Sequence, residues 1–100
     1  MGKLITIFWR DIPSHIIFKT KSGKFKKQMS PRFAGAIDRA AMRAGKGSSD
    51  AYMADWRREI VKIKTDDPQS IVDQEIELLE QMFSNDLLEK TVKSKGIKEE

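Results

Sequence analysis

The sequence predicts an α+β two-layer sandwich in which a mostly antiparallel sheet of about four strands carries helices on one face, in the order β-β-β-α-β-α. Two observations predict this class. Three segments rich in β-branched and aromatic residues follow one another over the first 29 residues, separated by turn signals. Two later segments place apolar residues at helical spacing, with one further strand-like segment between them. At 100 residues the chain is one domain, which we expect to span residues 1–93 and to end in a frayed charged tail at 94–100.

The first three strands are predicted from side-chain alternation and turn residues. Residues 4–9 are apolar on both faces, so this strand is expected to be central and covered on both sides. A charged corner at 11–14 contains a proline and leads into a strand at 15–20. A tight turn at 21–24 joins that strand to a hairpin partner at 25–29, and the lysines of this hairpin are typical of an exposed sheet edge.

The first helix has start and stop signals that agree. Ser30 is suited to cap its N-terminus, Pro31 to occupy its first position and Gly45 to end it. A loop at 45–49 follows, with a short helical turn at 51–54. Helical spacing predicts a buried face of Phe33, Ile37, Ala40, Ala41 and Ala44. It predicts an outward face of Arg32, Asp38, Arg39 and Arg43.

The last third of the chain is predicted to add a strand and a helix. Residues 56–64 alternate in a way that suits a half-exposed strand. Asp67 is suited to cap the final helix and Pro68 to begin it. Residues 84–86 are expected to interrupt that helix and to cap a short last one. The apolar stripe of this segment is Val72, Ile76, Leu79, Phe83 and Leu87.

Composition excludes several classes of site, and it leaves two explanations for the uneven distribution of charge along the chain. The chain has no cysteine, which excludes disulfides, thiolate metal sites and a cysteine nucleophile. No apolar run is long enough to span a bilayer, and no signal-type segment begins the chain, so we expect a cytoplasmic protein. Residues 1–65 carry 15 Lys or Arg against 5 Asp or Glu, whereas residues 66–100 carry 4 against 10. This asymmetry fits either an acidic helix packed beside a basic sheet or a nucleic-acid binder.

The candidate catalytic residues do not form a recognisable constellation. His15 is the one histidine, and the sequence builds no triad or metal site around it. The segment GKGSSD at 45–50 lacks the spacing of a phosphate-binding loop. Asp11 at a turn and Asp38 in a helix favour structural roles over acid–base chemistry. We therefore expect no cofactor, no metal and no enzymatic activity.

Two stretches, IFWRDIPSHIIF at 7–18 and RFAGAIDRAAMRAGKGSSDAYMADWRR at 32–58, carry a family resemblance. They resemble the bacterial domain family called virulence factor over roughly residues 4–90. The domain is similar to the C-terminal part of larger proteins known as conserved virulence factor C, where it follows a NifU-like domain and helical repeats. Neither precedes it here, so the chain resembles the free-standing form. The family pattern falls on Trp9 to Pro13, on Arg32, Phe33, Ile37, Asp38, Ala40, Ala41 and Met42, and on Asp50, Tyr52 and Trp56.

The resemblance implies an association with virulence-gene expression in pathogens and no defined reaction. The pattern residues are expected to meet in one cluster, in which Arg10 pairs with Asp38 or Asp50. The cluster is either a structural clamp or a docking surface for a protein partner. Its members are Trp9, Arg10, Asp11, Pro13, Asp38, Asp50, Tyr52 and Trp56.

Three functional hypotheses follow. The first is a small non-enzymatic accessory domain that binds an unidentified protein, with no membrane contact. The second, which rests on the resemblance alone, is an accessory component of corrinoid- or folate-dependent methyl transfer. The third is a nucleic-acid-binding regulator with a basic hairpin and a basic helix face. Its binding residues would be Lys19, Lys21, Lys24, Lys26, Lys27, Arg32, Arg39 and Arg43.

Overall fold

A computed structural model describes residues 2–45 and 53–97 and has the predicted α+β architecture. Its elements are β1 (Gly2–Trp9), β2 (Ile12–Thr20), β3 (Gly23–Gln28), α1 (Pro31–Arg43), β4 (Trp56–Ile63), α2 (Pro68–Met82) and α3 (Asn85–Lys93). The strands form one antiparallel sheet in the order β3-β2-β1-β4. The predicted fold class is therefore confirmed, and the break expected at 84–86 separates α2 from α3. Most of the helical turn predicted at 51–54 lies outside the described residues.

The central strand β1 pairs differently on its two sides. Its ladder with β4 runs without interruption from the Gly2 and Ile63 pair to the Trp9 and Trp56 pair. Its ladder with β2 has a bulge between Ile7 and Phe8, where β2 passes Pro13. Proline has no backbone N–H to contribute to a ladder, which explains why the irregularity falls there.

Most of the core lies between one face of the sheet and the three helices. Leu4, Ile16 and Phe18 are buried on the sheet, and Phe33 of α1 and Val72 of α2 are buried above them. Helix α2 packs on β2 and β3, and α1 packs on β2 and on α3. Burial of this apolar surface is the main free-energy gain of folding.

The helices leave part of the sheet uncovered. Ile5 and Ile7 of β1 are only half-buried, so the prediction that this strand is covered on both sides is wrong within the described residues. The strand β4 was predicted to be half-exposed, but six of its eight residues are exposed, on both faces. On the helical side the reason is that α2 packs mainly on β2 and β3, and the other side of β4 is covered by none of the described helices.

The helix starts follow the predicted residues with one difference. Asp67 caps α2 by accepting a hydrogen bond from the Ser70 amide at 3.2 Å. Ser84 caps α3 through the Leu87 amide in the same way, at 3.1 Å. Ser30 precedes α1 as predicted, but its side chain makes no capping bond and instead donates to a carboxylate of α2.

Candidate functional site

The corner between β1 and β2 is held by Arg10, which has a positive φ of 53°. Its amide donates to the Asp55 carbonyl at 3.0 Å, and its Nε donates to the Asp55 carboxylate at 3.2 Å. Its Nη1 donates to the Lys95 carbonyl at 2.8 Å. Non-glycine residues adopt this backbone region only when the surroundings fix them, as these three contacts do. Arg10 thus joins the corner to the start of β4 and to the segment after α3.

A second arginine closes the corner from β4. The Nε of Arg57 donates to the Arg10 carbonyl at 2.7 Å, and its Nη2 donates to the Asp11 carboxylate at 3.2 Å. Its guanidinium lies over the Phe8 ring, 4.3 Å from the centroid. Two carboxylates and two guanidiniums therefore occupy one small region.

The chain after α3 packs against this corner from the other side. The Asp11 amide donates to the Gly96 carbonyl at 2.9 Å, and Gly96 has a φ of +88°. A Cβ atom at Gly96 would lie 2.8 Å from the ring of Trp9, which is fully buried. Both the backbone angle and this close approach require glycine. Residues 94–97, the first part of the predicted tail, are therefore placed on the corner.

The structure assembles part of the predicted cluster. Trp9, Arg10, Asp11, Pro13 and Trp56 meet at the corner, with Trp9 opposite Trp56 in the ladder. Asp38 is exposed on α1, and the ion-pair partner of Arg10 among the described residues is Asp55 and not Asp38. The remaining two predicted members, Asp50 and Tyr52, lie outside the described residues.

The cluster predicted from the sequence does not include Asp55, Arg57 or Gly96. The available signal was positional, because residues next to paired strand ends in an antiparallel ladder meet. Trp9 and Pro13 are buried, so they are not accessible as docking anchors. The accessible parts of the corner are its arginines and Asp11.

The chemistry of the corner favours structure over catalysis. The carboxylates of Asp11 and Asp55 both accept bonds from arginines. His15 lies 3.1 Å from the Ser14 hydroxyl, and burial together with the positive charge of Lys26 lowers the pKa of its imidazole. Its cross-strand neighbours are Ile7 and Gln28, so no carboxylate orients the ring there. No group of three potential metal ligands occurs within 2–45 and 53–97.

The uncovered side of the sheet, which we call the open sheet face, carries three cross-strand rows. From β3 to β4 the rows are Gln28, His15, Ile7 and Arg58; Lys26, Ile17, Ile5 and Ile60; and Lys24, Lys19, Lys3 and Lys62. Six of these twelve residues are cations and none is acidic. At one end, a depression of about 450 Å³ is lined by Gly2, Lys3, Lys19, Thr20, Lys21 and Lys62.

The cations predicted to bind nucleic acid are divided between the two layers. Lys19, Lys24 and Lys26 lie on the open sheet face, with Lys21 at its end. Those on the helical layer meet acids: Lys27 pairs with Asp73 at 3.1 Å, Arg32 pairs with Glu80 at 3.1 Å, and Arg39 pairs with Glu89. Arg43 is also on that layer, at the end of α1.

These pairs neutralise the helical layer. Hydrogen bonds from Lys27 and then Gln69 lower the pKa of Asp73, and the hydrogen bond from Arg39 lowers the pKa of Glu89. The acidic last third of the chain therefore balances the basic residues of α1 and of one side of β3. The cations of the open sheet face make no ion pair with any residue in the described ranges.

A groove lies between β4 and α2 on the helical side of the sheet, with a volume of about 860 Å³. We call it the β4–α2 groove. Its apolar lining is Leu4, Phe8, Val61, Ile63, Leu79, Met82 and Phe83. Its polar lining is Thr6, Asp11, Arg57, Glu59 and Glu75. Val61 is 55% exposed and Met82 is 48% exposed, so apolar side chains face solvent here.

Comparison with known proteins identifies the family and gives no solved or curated relative. Neither the curated protein sequences nor the solved structures contain a match to this chain. None of the helices in the described parts of the chain has both the length and the apolar character that crossing a membrane requires. The family model described as "Virulence factor" matches residues 7–92, from the third quarter of β1 to the last turn of α3. This chain therefore belongs to the virulence factor family.

Proposed function

We propose that the chain is a non-enzymatic protein-interaction domain, and that it binds an extended segment of its partner along the edge of β4, which pairs with no second strand in the described part of the chain. The observation that carries this proposal is an exposed edge strand beside an apolar groove. The corner is not the proposed contact surface, because Trp9 and Pro13 are buried and Trp56 is partly buried.

The edge of β4 has the properties of a strand that accepts another strand. It is eight residues long, contains no proline, and its ladder with β1 has no bulge. Ile60 and Val61 are about half exposed on its two faces. A long, flat edge with exposed apolar residues is a template for backbone pairing. The other edge, β3, is shorter and carries three lysines among six residues, which discourages pairing.

The β4–α2 groove gives the added strand a place for its side chains. On a strand paired with β4, alternate side chains would point toward Val61, Ile63 and Leu79 and cover their apolar surface. The intervening side chains would lie beside Arg58 and Lys62 on the open sheet face. The segment that fits is therefore one in which apolar and acidic residues alternate.

Charge makes a second copy of this chain a poor occupant of the same edge. Pairing β4 with its own copy would place two open sheet faces side by side, each with six cations. Like charges on neighbouring strands destabilise a sheet, so self-pairing is opposed while an acidic segment is favoured.

Selection from a displayed library of random peptides tests the proposal. The bait is the full chain, and the comparison bait is the Val61→Asp variant, which places a charge in the groove. We expect selected peptides to alternate apolar and acidic residues and to bind Val61→Asp about tenfold or more weakly than the unchanged chain. Amide shifts on peptide binding are expected along β4.

The matched control is Leu78→Asp. Leu78 is 52% exposed on α2 but does not line the groove, so this variant makes the same chemical change at an exposed apolar residue. It should bind selected peptides as the unchanged chain does. Peptides that bind both variants equally, or a library that yields no enriched peptide, would contradict the proposal.

A further inference from the structure

We infer that the open sheet face binds single-stranded nucleic acid through its phosphates. This surface is distinct from the groove side of β4. The lysines that carry the inference belong to β1, β2 and β3.

The arrangement of the lysines is costly for the fold. Lys3 lies directly opposite Lys19 on one side and Lys62 on the other, and Lys19 lies opposite Lys24. Directly opposed like charges destabilise a sheet. The helical layer of the same chain avoids this cost by pairing its cations with acids, whereas the open sheet face has no acid in its three rows. Closely spaced cations without acidic partners in these rows are complementary to a ligand with closely spaced negative charges.

The side chains around these lysines favour nucleic acid over protein or membrane. Lysine is depleted in protein–protein interfaces, and the anchors typical of such interfaces, tryptophan and tyrosine, are absent from the three rows. Insertion into a membrane surface requires several protruding apolar side chains, but Ile5, Ile7 and Ile17 are half-buried, which leaves Ile60 as the one exposed apolar residue of the three rows. A phosphate backbone needs neither kind of contact.

The breadth of the face favours a single strand over a duplex. Four adjacent strands span ~14 Å between the outermost ones, which is too broad for the major groove of a duplex. A flexible single strand can follow the face and bring successive phosphates to both lysine-bearing rows. The aromatic pair Phe18 and Phe25 lies on the helical side of the sheet. The three rows contain no phenylalanine, tyrosine or tryptophan, so base stacking contributes little there and we expect little sequence preference.

Fluorescence anisotropy with labelled RNA and DNA oligonucleotides of about 12 nucleotides tests the inference, because this length lies within the usual site size. Six cations on a single strand give a slope of about −4 in log affinity against log salt. Replacing three of them, as Lys3→Gln, Lys19→Gln and Lys24→Gln together, should reduce the slope to about −2 and weaken binding by about 100-fold near 0.1 M salt.

The matched control removes the same net charge from the helical layer, as Lys27→Gln, Arg39→Gln and Arg43→Gln together. It should retain most of the affinity, provided that circular dichroism shows both triple variants folded. Equal weakening by the two triple variants would overturn the inference, since the attraction would then be diffuse. It would also be overturned if the unchanged chain bound no oligonucleotide at low salt, or bound phosphatidylglycerol vesicles but no oligonucleotide.

The inference and the proposed peptide binding can fail separately. Val61→Asp should leave oligonucleotide binding within about twofold, because Val61 lies on the groove side of β4. The triple lysine variant leaves the groove lining unchanged.

Discussion

Replacing Glu80 with alanine should destabilise the chain more than any other change of an exposed or half-exposed acid on α2. The carboxylate of Glu80 accepts the Ser30 amide at 2.7 Å, the Ser30 hydroxyl at 2.9 Å, and the Nε and Nη2 of Arg32 at 3.3 and 3.1 Å. Arg32 also donates to the Glu80 carbonyl and to the Asn85 side chain. One carboxylate thus joins the start of α1 to the end of α2.

The magnitude follows from the groups that the change leaves without a partner. A hydrogen bond to a charged group contributes about 1.5–3 kcal/mol, but bonds to one carboxylate are not additive, and the pair with Arg32 is partly exposed. The half-buried Ser30 amide also loses its acceptor. We therefore expect Glu80→Ala to lower the free energy of unfolding by about 2–3 kcal/mol. Glu80→Gln, which keeps an acceptor but no charge, should cost about half of that.

Urea denaturation followed by tryptophan fluorescence measures this effect. A loss of about 2–3 kcal/mol should lower the midpoint by roughly 1–2 M for a domain of this size. The control is Glu77→Ala, because Glu77 is exposed on α2 and its carboxylate accepts a hydrogen bond only from Gln81 among the described residues. That control should change stability by about 0.5 kcal/mol or less. A loss in Glu80→Ala no larger than in the control would refute the reasoning.

The same carboxylate predicts a dependence on pH. Partial burial raises the pKa of Glu80, but the hydrogen bonds from the Ser30 amide and hydroxyl and from Arg32 outweigh it and lower the pKa below its ordinary value of 4.5. The folded state therefore binds this proton less readily than the unfolded state does. The contribution is fully present above about pH 4.5 and is lost as the pH falls through the folded pKa. The stability difference between the unchanged chain and Glu80→Gln should shrink over that acidic range.

Two further changes test the corner and the open sheet face. Gly96→Ala should cost about 2–4 kcal/mol, because it combines a left-handed backbone angle with a clash against the buried Trp9 ring. Urea denaturation measures this loss, with Gly35→Ala as the control. That variant should be neutral or stabilising, since it adds a Cβ in open space on α1. Lys3→Glu should raise the melting temperature by about 2–4 °C, because it turns two repulsive cross-strand pairs into attractive ones. An unchanged or lower melting temperature would show that the opposed lysines do not destabilise the sheet.

Much of the fold could be predicted because its signals are local. The helix starts at Pro31 and Pro68 and the break before Asn85 follow from capping residues and proline, whose effects act within one turn. The strands follow from their side-chain content. The hydroxyl of Ser30 departs from its predicted capping role because Glu80, fifty residues away in sequence, offers a charged acceptor.

The parts that were not predicted depend on strand register and helix placement. That Arg10 pairs with Asp55 follows from the order β2-β1-β4, which places the end of β1 beside the start of β4. Which face of β1 remains uncovered depends on the side of the sheet on which the helices pack, and the exposure of β4 depends on α2 packing mainly on β2 and β3. The row of Lys24, Lys19, Lys3 and Lys62 forms only because three pairs of strands each have a particular register. No local sequence pattern specifies these registers together with the bulge at Ile7 and Phe8.

The distribution of charge gives the strongest reason to separate the two layers of this domain. A chain that only needed to balance its charge would place its acidic residues near all of its cations. Instead, the helical layer contains three acids that neutralise one lysine and two arginines, namely Asp73, Glu80 and Glu89. The cations of the open sheet face make no ion pair with a described residue, at a cost in sheet stability. Natural proteins retain such costs mainly at functional surfaces, so the Lys3→Glu variant, if more stable and defective in oligonucleotide binding, would connect the cost directly to the function.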